Sequence, residues 1–276
     1  MKKFKIIVDS SSDLKSNYLN RDDIDFSVIP LSINIGDKIF LDDDDVDSNE
    51  VLDVMNSYDG KSTTSCPAPG VYLNELSGAE NYFIITISSK LSGSFNSACS
   101  AKEMCDNTNV HVIDSKLVSG AMILLVDELV RLIDCNLEFD EIVKKIEKYN
   151  SERHLMFTLC KYDNLVKAGR MSRVMSVIAS TLRIVPVCEG IDGEIHIREK
   201  TITQKSAYRK IAEAIKSKFD DLKHKICIIS HCQNVDGANY MKSLLLEKCN
   251  FKEIRIIPVK ALCAFYALKG GIIISY

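Results

Sequence analysis

Residues 82–104, YFIITISSKLSGSFNSACSAKEM, contain the strand, loop and helix on which the fold prediction depends. The β-branched apolar run Tyr82–Ile87 predicts a buried strand, and Phe95–Met104 predicts a helix after a loop rich in serine and glycine. The same order recurs along the chain: Phe4–Val8 is an apolar run followed by serines, and Val110–Ile113 precedes a long helical pattern. Strands that alternate with helices in this way predict an α/β fold with a parallel sheet.

The N-terminal half contains further local signals. Apolar residues alternate along Val28–Ile35, which predicts one strand over that range. Ser10 and Asp13 have the spacing of a capping box, so a short helix is expected to begin near Asp13. The apolar stripes of Gly120–Ile133 and Phe139–Tyr149 predict two amphipathic helices.

The C-terminal half has a different pattern. Asn150–Arg153 is a polar joint, and we place the boundary between two α/β domains there, at 1–150 and 151–276. Leu182–Val187 and Glu194–Glu199 flank a glycine-containing loop and predict an antiparallel hairpin. We therefore expect a mainly parallel sheet in the first domain and a mixed or antiparallel sheet in the second. Helices and strands are also expected at Gln204–Phe219, Lys225–Ser230, Gly237–Lys248, Glu253–Val259 and Ile272–Ile274.

Composition excludes several classes of protein. The 276 residues carry 35 Lys and Arg against 38 Asp and Glu, without the basic stripe that nucleic-acid binding requires. We expect no nucleic-acid partner. The apolar runs are too short for a transmembrane segment or a signal peptide, which predicts a soluble, cytoplasmic protein.

Motifs for common cofactors and metals are missing from the sequence. The ten cysteines form no CxxC pair, so we expect reduced and mostly buried thiols in a cytosol. No GxGxxG follows Val8, and Met55 stands where a P-loop ending at Gly60–Ser62 would need its first glycine. We expect no cofactor. The acidic run Asp42–Asp47 could hold a hard cation, but it lacks EF-hand spacing, and a solvated turn is the better interpretation.

Two hydroxyl-rich segments precede predicted helices. One is Ser62–Gly70, STTSCPAPG, and the other is Ser88–Phe95, SSKLSGSF. The unpaired N–H groups of a helix N-terminus, together with the hydroxyls of Thr64 and Ser92, suit a small anion such as a carboxylate or a phosphate. Ordinary helix capping by serine and threonine is the alternative. Arg170, on a loop after a glycine, is either a phosphate contact or a solvated cap.

An enzyme could use the same anion pocket. A hydrolase of small acyl or phosphate esters would need a base close to Ser92, and His231 is the candidate because it is expected at a strand end. Neither GxSxG nor a serine paired with a nearby histidine motif occurs.

Several of these segments together resemble the DegV family, bacterial proteins that bind a fatty acid, some of which are carrier subunits of fatty acid kinase. The resemblance runs nearly from end to end. The matching segments are Val8–Leu14, Thr64–Gly70, Ile85–Ala98, Val112–Lys116 and Gly169–Ser172. It implies no catalytic step of the chain's own, and an acyl chain in an apolar pocket between or within the two domains.

The resemblance also implies roles for single residues. Thr64 and Ser92 match the family positions that hold the fatty-acid carboxylate, and Arg170 matches an arginine tied to phosphate and to the kinase partner. Ser65, Ser94, Arg170 and Cys263 are further candidates for contacts to the pocket or the partner. Two positions depart from the family pattern: Cys66 replaces a glutamine, and Cys263 replaces the histidine of kinase-linked members.

Overall fold

The computed structural model describes residues 1–171 and 184–276. Its strands are β1 Lys2–Asp9, β2 Ile24–Ile29, β3 Ser32–Ile35, β4 Lys38–Leu41, β5 Ser62–Ser65, β6 Ala79–Thr86, β7 Val110–Asp114, β8 Leu155–Thr158, β9 Val185–Ile191, β10 Glu194–Thr201, β11 Ile226–His231, β12 Glu253–Pro258 and β13 Ile272–Ser275. Its helices are α1 Ser48–Asn56, α2 Pro69–Glu75, α3 Ser94–Met104, α4 Gly120–Asp134, α5 Phe139–Ser151, α6 Asp163–Lys167, α7 Gln204–Lys218, α8 Val235–Lys248 and α9 Ala261–Ala267.

The first sheet is parallel, in the order β2-β1-β6-β7. Its central strands are buried on both faces, as continuous apolar runs require. Ile6 and Ile85 pack with residues of α4 and α5, whereas Ile7 and Ile84 pack with residues of α2 and α3. Open parallel sheets bind ligands beyond the carboxyl ends of their strands, so a ligand site is expected at that edge of this sheet.

The second sheet is mixed, in the order β10-β9-β8-β13-β11-β12. Its strand pairs are antiparallel except β11 with β12, which is parallel. Met156 and Ile274 lie on a face covered by α7 and α8, while Phe157 and Ile273 lie on the opposite face with residues of α9. The predicted fold class, α/β with a parallel and a mixed sheet, is confirmed; the predicted boundary at 150/151 stays a prediction.

A third, small sheet, β4-β3-β5, was not expected from the sequence. The predicted strand Val28–Ile35 is wrong, because the chain breaks at Pro30 and Leu31 into β2 and β3. Proline has no N–H for the ladder, and the two strands join different sheets. Ile33 and Ile35 then pack against residues of α1 and α9.

The predicted helix start near Asp13 is also wrong. A single 3₁₀ turn, Ser10–Ser12, ends there, and Asp13 adopts a left-handed φ of 60°. The cap is Asp9, whose carboxylate accepts a hydrogen bond from the backbone N–H of Ser11 at 3.2 Å. The spacing of Ser10 and Asp13 therefore marks a short turn, which Asp9 at the end of β1 caps and which no helix follows.

Other expectations agree with the structure only in part. The hairpin forms from β9 and β10 with its turn at Asp192 and Gly193, while the predicted first residues 182–183 lie outside the described residues. The ten cysteines are free, but only Cys188, Cys227, Cys232 and Cys263 are buried, so the expectation of mostly buried thiols is wrong. Asp42 is fully buried, which corrects the expectation that the whole acidic run is solvated.

Candidate functional site

A cavity of about 320 Å³ lies between the carboxyl ends of the parallel strands and the face of the mixed sheet that carries Phe157 and Ile273. Much of its wall is aliphatic or aromatic. Polar side chains also line it, including Thr64, Ser92 and Tyr266. A mostly apolar cavity with a few converging polar groups is the usual form of a small-molecule site.

Thr64 reaches this cavity from a strand. It lies in β5, opposite Ile33 of β3, so the expectation that it decorates a helix start is wrong. The residues that flank it in the strand, Thr63 and Ser65, are exposed, because successive side chains of a strand alternate between faces. The Ser65 hydroxyl accepts a hydrogen bond from the side chain of Asn34 at 3.2 Å, although Ser65 also borders the cavity.

Ser92 lies where the sequence predicted it, in the loop between β6 and α3. Its hydroxyl is 3.0 Å from the hydroxyl of Ser94, the fully buried first residue of α3, and it accepts a hydrogen bond from the Ser94 N–H at 3.3 Å. The loop also touches the segment that follows Thr64, since a Cβ on Gly93 would lie 2.9 Å from the sulfur of Cys66. The two hydroxyl-rich segments therefore meet at one site.

A buried carboxyl group, that of Asp9, stabilises the loop between β6 and α3 through hydrogen bonds. The Asp9 side chain is fully buried, and its Oδ2 accepts a hydrogen bond from the backbone N–H of Ile87 at 2.9 Å. Burial raises the pKa of Asp9 to about 6, and hydrogen bonds from Ser11, Ile87 and Ser94 oppose that rise. Asp9 is thus linked through Ser94 to Ser92 at the cavity wall.

Arg170 also lines the cavity. Its Nε donates to the carbonyl of Leu91 at 3.0 Å, and one of its terminal nitrogens donates to the carbonyl of Ala168. These bonds fix the guanidinium beside the loop of Ser92. The remainder of the predicted Gly169–Ser172 loop, Ser172, lies outside the described residues.

Cys263 is buried in α9 and borders the cavity, but its polar atom faces elsewhere. Its thiol donates to the carbonyl of Ser11 at 3.4 Å, and burial raises the pKa of Cys263 well above the usual range. Near it, Asp13 accepts from the backbone N–H of Lys260 at 2.7 Å and from the hydroxyl of Ser119 at 2.5 Å. The bonds made by Lys260 and Cys263 join the N-terminal half to α9 and the residue before it.

The residues required by the alternative hypotheses are not brought to the cavity. His231 is not among the described residues that line it, and the His231 Nδ1 accepts a hydrogen bond from the backbone N–H of Asn234 at 3.3 Å. Within residues 1–171 and 184–276, no group of three or more His, Cys, Asp or Glu side chains could hold a metal ion. Among the same residues, no helix combines the length and apolar character needed to cross a bilayer.

Two features of the site were missed by reasoning from the sequence. The Tyr266 hydroxyl lies 2.7 Å from Oγ1 of Thr64, although the sequence of α9, ALCAFYA, is hydrophobic throughout and Tyr266 carries its one hydroxyl. The hairpin turn contacts the serine loop as well, because the Ser88 hydroxyl donates to the carbonyl of Gly193 at 2.7 Å. The sequence predicted the hairpin, but it gave no signal that the turn would contact Ser88.

The fold and the site define an α/β protein with a ligand-sized apolar cavity between two sheets and hydroxyl groups at its wall. A family model described as "Uncharacterised protein, DegV family" matches residues 3–276. A DegV domain-containing protein from Streptococcus gordonii is 36% identical over an alignment of 279 positions, which covers 99% of this chain and 98% of the relative. The chain belongs to the DegV family, which confirms the resemblance seen in the sequence.

Solved structures of similar proteins share the whole fold. A Ruminococcus gnavus protein of the DegV family, described with vaccenic acid, is 28% identical with a TM-score of 0.92, over 100% of this chain and 99% of that one. The Streptococcus pneumoniae Fatty Acid Kinase (Fak) B3 protein, loaded with linoleic acid, is 32% identical with a TM-score of 0.92, over 99% of each chain. A Eubacterium eligens DegV family protein, loaded with heptadecanoic acid, is 26% identical with a TM-score of 0.88, over 99% of this chain and 98% of that one.

Proposed function

We propose that this protein binds a long-chain fatty acid, with the acyl chain in the cavity and the carboxylate at Thr64 and Ser92. The observation that carries the proposal is the cavity itself: its wall is mainly apolar, and both hydroxyl-rich segments reach it. Similar proteins of the same fold contain vaccenic, linoleic and heptadecanoic acids, which supports this ligand class.

The binding energy of a fatty acid would come mainly from the apolar wall of the cavity, with a smaller part from its hydroxyl groups. Each buried methylene contributes about 0.8 kcal/mol, so a long acyl chain supplies most of the affinity. The hydroxyls of Thr64 and Ser92 position the carboxylate, since hydrogen bonds to charged groups are stronger than those between neutral groups. Of the other candidates, Ser65 borders the cavity and Ser94 supports Ser92, whereas the thiol of Cys263 is directed toward Ser11 and away from the head group.

We further propose that the protein has no catalytic step and presents its fatty acid to a kinase subunit. The similarity to the Fak B3 protein supports this partner. The kinase would transfer a phosphoryl group from ATP to a carboxylate oxygen, which forms an acyl phosphate and releases ADP. Arg170 would meet the new phosphate or the partner, because its planar guanidinium is already held beside Leu91 at the cavity wall.

The first experiment is organic extraction of the purified protein followed by mass spectrometry. We expect a stoichiometric long-chain acid. Linoleic acid binding is then measured for Thr64→Ala/Ser92→Ala and for the control Thr63→Ala/Ser89→Ala, whose residues do not border the cavity. Loss of two bonds worth roughly 1.5–3 kcal/mol each should weaken binding at least about a hundredfold in the first variant only.

Two results would contradict the proposal. An empty extract combined with no uptake of added linoleic acid would leave only the fold in common with the relatives. Unchanged affinity in Thr64→Ala/Ser92→Ala would refute the head-group assignment. The kinase step is tested separately, by measuring ADP release from ATP when a fatty acid kinase subunit is added to the loaded protein.

A further inference from the structure

The contact between Tyr266 and Thr64 joins two distant parts of the chain at the cavity wall. Tyr266 comes from α9 and Thr64 from β5, and their hydroxyl oxygens are 2.7 Å apart. The ring of Tyr266 packs edge-on against Phe265, with ring centroids 5.0 Å apart and an interplanar angle of 89°. Both Tyr266 and Thr64 border the cavity, so the hydrogen bond lies within reach of a bound ligand.

Counting protons shows what this pair can offer. Each hydroxyl carries one proton and accepts through its oxygen. One proton is used in the bond between Tyr266 and Thr64, whichever of the two donates it. The other proton is left for a ligand. It belongs to the hydroxyl whose oxygen accepts the bond, and accepting that bond polarises the hydroxyl.

We propose that Tyr266 is a third head-group residue, which acts with Thr64 as one donor unit and selects a free carboxylate over a neutral lipid of the same chain length. The inference rests on the proposed fatty-acid function. Without the Tyr266 hydroxyl, the Thr64 hydroxyl loses the partner that fixes its direction. A carboxylate gains more than an alcohol from an oriented donor, because hydrogen bonds to a charged acceptor are stronger.

The test compares linoleic acid with linoleyl alcohol as probes on the delipidated protein. Tyr266→Phe keeps the aromatic ring against Phe265 and removes only the hydroxyl. We expect about tenfold weaker binding of the acid, in line with the loss of one hydrogen bond to a charged group, and little change for the alcohol. Tyr240→Phe makes the same chemical change outside the cavity and should alter neither affinity. Equal thermal unfolding of the two variants would show that the fold is intact.

A double-mutant cycle tests whether Tyr266 and Thr64 form one unit. Thr64→Val and Tyr266→Phe combined should weaken acid binding little more than the stronger single change, because either change breaks the same unit. An unchanged ratio of acid to alcohol affinity in Tyr266→Phe would overturn the proposal, and so would single effects that multiply in the double variant. Failure of the unaltered protein to bind linoleic acid would instead refute the proposed function on which the inference rests.

Discussion

The buried Asp9 carboxyl should make the stability of the protein depend on pH in a defined direction. Its side chain is fully enclosed, and burial raises its pKa from 3.8 to about 6. A carboxyl whose pKa is higher in the folded state than in the unfolded state binds more protons when folded between those two values. The stabilisation is therefore complete below about pH 4 and is lost as the pH rises through about 6.

The size of the effect follows from the shift. A rise from 3.8 to about 6 is roughly two units, and each unit corresponds to about 1.4 kcal/mol, which gives about 3 kcal/mol. Asp9→Asn removes the titration but also places an amide N–H₂ where a carboxylate oxygen accepts from Ser11 or Ile87. That mismatch lowers stability by an amount that does not vary with pH, so only the difference between the proteins is informative.

The assay is urea unfolding of the delipidated protein at intervals from pH 4 to pH 7.5. We expect the stability advantage of the unaltered protein over Asp9→Asn to shrink by about 2.5 kcal/mol from pH 4 to pH 7, because the carboxyl of the unfolded chain is already partly ionised at pH 4. Asp59→Asn, which removes an exposed carboxylate, is the matched control. A difference that stays constant over this range, or that grows with pH, would refute the assignment of a raised pKa to Asp9.

Two further predictions concern the walls of the cavity. Bound linoleic acid should slow alkylation of Cys66, which is exposed and borders the cavity, but not of the exposed Cys135, as peptide mass spectrometry can measure; equal rates for Cys66 with and without lipid would contradict the proposed binding site. Gly193→Ala should lower the melting temperature more than Gly78→Ala. Both residues have positive φ, but a Cβ on Gly193 would lie 2.7 Å from the Ser88 hydroxyl, whereas a Cβ on Gly78 would enter open space among the described residues. Equal losses by calorimetry would mean that the hairpin turn contributes nothing at this contact.

Elements with a strong local pattern were predictable from the sequence. The strands β1, β6 and β7 and the helices α4 and α5 were expected close to their observed positions, because a buried parallel strand or an amphipathic helix carries its period in its own residues. The alternation of these strands and helices was enough to predict the fold class, and the loop of Ser92 was placed correctly between a strand and a helix.

Elements formed by tertiary pairing were not predictable. β5 has the polar sequence STTS, which becomes a strand because it pairs with β3. Thr64 was therefore expected at a helix start, whereas it lies in a strand and borders the cavity, and its role in anion binding stays a prediction. α9 lacks a polar face and a side-chain cap, so neither the helix nor Tyr266 could be recognised from periodicity.

The cavity wall is assembled from both halves of the chain, and this has a thermodynamic consequence. Thr64 and Ser92 come from the N-terminal half, while Phe157, Ile273 and Tyr266 come from the C-terminal half. A ligand that fills the cavity contacts both, so binding free energy also stabilises the arrangement of the two sheets. At one hundred times the dissociation constant, a ligand that binds only the folded state adds about 2.7 kcal/mol to stability. Under the proposed function, an acyl chain in this cavity would bridge the predicted domain boundary, and its release would remove part of what holds the two halves together.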